Sequence, residues 1–162
     1  MNIKIQRNIS HGEYTHGTLS IDGTKICHTL ENSNALLPAG VYPISLIKCK
    51  HHARKMPCLN PSTPCDRCSK SLNSHCNATL SKRDPSSLNY VLPCYCPMLK
   101  PGNGVHNRLD GSILIGRYNC LGSLVHPKDF FDSLFERIRK SLSRGNELLL
   151  TINDPSPLTS HP

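Results

Sequence analysis

Gly17-Thr18-Leu19-Ser20-Ile21-Asp22-Gly23-Thr24-Lys25-Ile26-Cys27-His28-Thr29-Leu30 decides the fold: two strand-like runs flank a two-residue Asp-Gly turn. Asp-Gly is a strong hairpin signal, because both residues tolerate the positive φ of a type I′ turn whose twist matches the flanking strands. Thr18 and Ser20 alternate with Leu19 and Ile21, so one face of the first strand is apolar and the other polar. Working outward, residues 2–7 read as a preceding strand and residues 41–47 as a following one, entered through the turn Leu37-Pro38-Ala39-Gly40. Pro43 predicts that this latter strand lies at an edge or carries a bulge. Further on, Ile113-Leu114-Ile115 reads as a buried strand.

Residues 127–143 carry the one clear helix signal. Pro127 stands at its first turn, Gly145 at its stop, and Phe130, Phe131, Leu134, Phe135, Ile138 and Leu142 recur at helical spacing. Lys128, Asp132, Glu136, Arg137 and Lys140 occupy the opposite side. The stripe is expected to pack on the sheet, a membrane-surface helix being the sharper alternative. Residues 147–152 give a last strand, and residues 154–162 a frayed tail. The predicted fold is therefore mostly β: a compact antiparallel sheet or barrel-like domain over residues 1–153, with one C-terminal amphipathic helix and a Cys-rich insertion at 48–87.

Composition bounds what such a domain does. A chain of 162 residues supports one real core, built here on Ile, Leu and Val because aromatics are only 5% and tryptophan is absent. The formal charge of +8 favours contact with polyanions: nucleic acid, anionic lipid or anionic wall polymer. No stretch approaches the roughly 20 apolar residues of a membrane span, and the amino terminus has no apolar signal-peptide core.

The insertion lacks hydrophobic periodicity but is rich in Cys and His. Cys58, Cys65, Cys68 and Cys76 nest around the unit Cys65-Asp66-Arg67-Cys68, whose spacing lets two thiolates reach one tetrahedral zinc. His51, His52 and His75 are substitute ligands, and metal binding would supply the folding free energy that the insertion cannot draw from a core. Unligated cysteines and disulfides are the alternatives. Cys27, Cys49 and Cys120 read as small core residues. Lys48, Lys50, His51, His52, Arg54 and Lys55 form the densest basic run, suited to phosphate contact or to a plain solvated loop.

His106 and Ser112 share one short segment. If residues 107–111 form a hairpin loop, the base and the hydroxyl face each other with Cβ atoms roughly 5 Å apart. The alternative is a turn at Asp110-Gly111 leading into a core strand.

Three ordered blocks carry a resemblance. Thr15 through Gly23, Ile26-Cys27-His28-Thr29-Leu30-Glu31-Asn32 and Leu37-Pro38-Ala39-Gly40-Val41-Tyr42-Pro43-Ile44 resemble the domain-of-unknown-function family numbered five-six-seven-five, a small phage and bacterial family. Pro97-Met98-Leu99, Pro101-Gly102, Val105-His106 and Gly111-Ser112-Ile113-Leu114-Ile115-Gly116 look like its later pieces in order. The family's His and Gly-Cys pattern is in turn similar to that of L,D-transpeptidases, which acylate a cysteine with peptidoglycan stem peptides. The resemblance implies a phage-type accessory protein, placed in the cytoplasm of a bacterial host, with a peptidoglycan-directed acyl-transfer or hydrolase-like site at His106 and Ser112. Ser112 stands where the family has cysteine, and an unassisted hydroxyl is a far weaker nucleophile than a thiolate. The rival expectation is a non-enzymatic, zinc-stabilised basic module that binds nucleic acid or a protein partner.

Overall fold

The computed structural model describes residues 1–49, 54–59, 97–104, 111–119 and 122–155. Nine strands are described: β1 (Ile3–His11), β2 (Tyr14–Ile21), β3 (Thr24–Asn32), β4 (Gly40–Cys49), β5 (Arg54–Leu59), β6 (Leu99–Pro101), β7 (Ile113–Asn119), β8 (Ser123–Val125) and β9 (Leu149–Asn153). One helix, α1 (Pro127–Ser143), lies between β8 and β9. The strand order is β5-β4-β9-β1-β2-β3-β7-β6, with β8 added to β7. Most pairings are antiparallel, while β1 with β9 and β6 with β7 are parallel. The two ends of the path meet: Cys58 bridges Met98, and the Leu59 N–H donates to the Pro97 carbonyl at 2.8 Å. The sheet thus curls into a half-barrel.

The sequence signals act where expected. Asp22 and Gly23 have φ of 50° and 82°, the left-handed pair of the turn joining β2 and β3. Ile3, Ile5, Leu19, Ile21, Tyr42, Ile44, Leu150 and Ile152 project from alternate positions into one core. Phe131, Leu134 and Ile138 of α1 close over it, which settles the apolar stripe as a packing face. Gly145, at φ 78°, ends the helix, and its N–H bonds the Leu142 carbonyl. Leu114 faces the other way, joining Leu30 and Leu124 in a smaller cluster flanked by Tyr14 and Tyr118, so β7 is buried on both faces.

The expectation for Pro43 holds locally. β4 lies between β9 and β5 in the strand order, yet at Pro43 it is in register with β9 alone. Pro43 is the last residue in register with β9, and the β5 register begins at Ile44. The missing N–H therefore falls where the strand changes partner, a position at which no β5 ladder bond is interrupted.

Two bulges set which side chains face inward. Between β1 and β2 the register passes from Arg7↔Gly17 to Ile9↔His16, leaving Asn8 extra. Between β2 and β3 it passes from Ser20↔Lys25 to Leu19↔Cys27, leaving Ile26 extra. An extra residue in one strand reverses the facing of everything beyond it. Cys27, Thr29 and Glu31 consequently share the inner face with Leu19, Gly17 and Thr15, while His28 and Leu30 face out. Gly17 is required here: a Cβ would stand 2.6 Å from Thr29 Oγ1 and 2.9 Å from the Gln6 carbonyl oxygen.

Candidate functional site

The inner face ends in a polar lock. Arg7 Nε donates to Glu31 Oε1 at 3.1 Å and its Nη2 to Glu31 Oε2 at 2.7 Å. The remaining donors reach the Leu37 carbonyl at 2.7 Å and Asp154 Oδ1 at 2.8 Å. A fork-to-fork pair with both side chains 2% exposed is structural, tying β1 to β3, to the turn before β4 and to the chain after β9.

The sequence-predicted site residues are placed as follows. Ser112 is 4% exposed, immediately before β7, and its Oγ accepts a hydrogen bond from the Met98 N–H at 3.3 Å. The hydroxyl thus helps join the segment entering β6 to the start of β7, beside the bond from the Ile113 N–H to the Met98 carbonyl. His106 lies outside the described residues, as do Cys65, Cys68, Cys76, His51, His52 and His75. Cys58 is in β5, buried in the core beside Met56 and Leu59. Among the described residues no group of three His, Cys, Asp or Glu side chains could hold a metal ion. Cys27 is a core thiol as expected, and burial pushes its pKa up to about 12, which keeps it protonated at neutral pH. Of the basic run, Lys48 lies in β4, and Arg54 and Lys55 lie exposed at the start of β5. Arg54 is engaged with α1, its guanidinium 4.6 Å above the Phe131 ring and 3.3 Å from Asp132.

Two surface features emerge that the motifs did not single out. The first is a groove of about 390 Å³ between the β2–β3 turn and the last turns of α1, lined by Ile21, Asp22, Arg137, Lys140, Arg144 and Asn146 among others. Arg137, Lys140 and Arg144 stand at i, i+3 and i+7, hence on one side of the helix. All three are exposed, and none forms a salt bridge with a described residue. Asp22, the acidic liner, is partly occupied by the Asn2 N–H at 2.7 Å. The helix-end carbonyls of Ser141 and Leu142 accept from the N–H groups of Arg144, Gly145 and Asn146, so the negative pole is capped beneath the cationic side chains. The spacing was readable in the sequence; the groove that it lines was not.

The second is a cluster of rings outside β2, β3 and β7. His16 stacks on His28 with centroids 5.5 Å apart and lies 3.9 Å from Tyr118, while His11 pairs with Tyr14. His28 Nδ1 accepts the Tyr118 N–H at 3.2 Å, and Lys25 Nζ stands 2.9 Å from His28 Nε2. His16 Nε2 is buried and has no hydrogen-bond partner among the described residues. Burial, then the neighbouring His28, His11 and Lys25, hold the His16 pKa below its ordinary 6.5. A depressed histidine pKa gives the unfolded chain the greater proton affinity. This contribution to stability is full above about pH 6.5 and is lost as pH falls through the folded value. Chemical denaturation between pH 8 and 5 is expected to show that loss, and His16→Gln to flatten it. An unchanged slope in the variant would remove His16 from the account.

No helix among the described residues is long and apolar enough to cross a membrane. Neither a family model, nor a curated protein, nor a solved structure matches the chain.

Proposed function

We propose that this chain is a non-enzymatic binding module for nucleic acid, with the Arg137–Lys140–Arg144 groove as its contact surface. The observation that carries the reading is that three cations on one helix side line a groove and have no salt-bridge partner among the described residues. Seven residues of helix rise about 10 Å, and one strand of duplex presents a phosphate about every 3.4 Å along its axis, so the stripe spans about three phosphates. The chain's excess of positive charge gives the long-range attraction that brings a polyanion to such a stripe. This reading makes no use of Ser112, whose hydroxyl is engaged with the Met98 amide inside the fold.

The test is a salt titration of duplex binding by the full chain and by a variant carrying Arg137→Ala, Lys140→Ala and Arg144→Ala. These exposed substitutions place a strong helix former in or at the end of α1 and are expected to leave the fold intact. Each lost phosphate contact reduces the slope of log K against log salt by about 0.9, so the slope is expected to shrink by about 2 to 3. An unchanged slope and affinity would overturn the assignment.

A further inference from the structure

The Lys25–His28 contact holds two hydrogen-bond donors against each other. Tyr118 presents a backbone N–H to His28 Nδ1, and an amide N–H can only donate, so Nδ1 carries no hydrogen. The neutral ring then bears its proton on Nε2. Nε2 faces Lys25 Nζ at 2.9 Å, and a lysine ammonium has three donors and no acceptor. Placing a second proton on the ring would break the Tyr118 bond beside the β3–β7 ladder, so His28 is held as a neutral donor. Among the described residues the surroundings supply no counter-charge: Lys25 and Arg117 form no ion pair with a carboxylate, and the other titratable neighbours of the ring are His16, from β2, and Tyr118, from β7.

We propose that Lys25 and His28 form a binding site for a small tetrahedral oxyanion of the sulfate or phosphate class, one oxygen accepting from both Nζ–H and Nε2–H, with Arg117 adding positive potential. An oxygen placed there turns two opposed donors into two charge-assisted hydrogen bonds. The β3 bulge at Ile26 makes the site, because it turns His28 to the outer face, where Lys25 reaches it. The inference is independent of the helix groove, whose residues it does not use.

The experiment is nitrogen-15 NMR of the histidine side chains in the full chain, titrated with sodium sulfate against sodium chloride at matched ionic strength. Before addition His28 is expected as the Nε2–H tautomer. Sulfate then shifts its Nε2 saturably while His11 serves as the exposed control, and Lys25→Gln weakens the apparent affinity about tenfold. A Nδ1–H tautomer, an equal response to chloride, or an undiminished response in Lys25→Gln would each overturn the proposal. Repeating the titration with inorganic phosphate and with a short oligonucleotide separates a free anion from a polymer phosphate. In the Arg137, Lys140 and Arg144 variant the sulfate response is expected to persist, so failure at either site is distinguishable from failure at the other.

Discussion

Arg7→Met is expected to cost about 3–5 kcal/mol of folding stability, the loss typical of removing one partner from a buried ion pair. The guanidinium and the Glu31 carboxylate are each 2% exposed, so solvent cannot replace what the substitution removes. Methionine fills much of the volume but leaves the carboxylate without its two donors and the Leu37 carbonyl without its 2.7 Å bond. The bond to Asp154 adds little, because that partner is 59% exposed and screened. The companion substitution discriminates between cause and coincidence: with Glu31→Leu added, no uncompensated charge stays buried, and the double variant is expected to be more stable than the Arg7→Met single. Urea or guanidinium denaturation measures all of these. A loss below about 1 kcal/mol in the single variant, or additive losses in the double, would refute the buried lock.

Phe131→Ala is expected to cost about 3–5 kcal/mol as well, through a different mechanism. The ring is 1% exposed, in the core layer that joins α1 to the sheet, and stacks on Phe135 with centroids 5.9 Å apart. Truncation removes the burial of a large side chain and leaves a void that the curled sheet can only partly fill. The Arg54 guanidinium above the ring is a smaller contribution, about 0.5–1 kcal/mol at an exposed site. The comparison decides which effect dominates: Arg54→Ala should lose less than a third of what Phe131→Ala loses, and Phe131→Leu should fall between them. Equal losses in the two alanine variants would mean that the cation, and not burial, fixes the helix.

The sites differ in how legible they were. Arg137, Lys140 and Arg144 announce a one-sided basic stripe through spacing alone, since helical periodicity is local and Pro127 and Gly145 bracket the element. Lys25 and His28 gave no such signal. In a regular two-residue hairpin, the pairing Ile21↔Thr24 would continue to Leu19↔Ile26, setting His28 on the same face as Leu19. Ser112 presents the reverse case: a residue that the local sequence sets beside a histidine has its hydroxyl engaged by the amide of Met98, a contact made through the parallel pairing of β6 with β7.

By itself, the sequence determined the elements: the alternation of β2, the Asp22-Gly23 turn, the apolar stripe of α1 with its start and stop, and a mostly β chain built on Ile and Leu. These follow from interactions within a few residues, which period and turn chemistry report directly. Only the tertiary structure decided that β9 inserts beside β1, that β5 and the entry to β6 close the sheet, and that the bulge at Ile26 turns Glu31 inward, opposite the regularly alternating Arg7, and His28 outward. A bulge carries no obligatory residue type, and a distant pairing is chosen by the packing of the whole core. Facing and neighbourhood are therefore collective properties, settled by burial across many strands and not by any one of them.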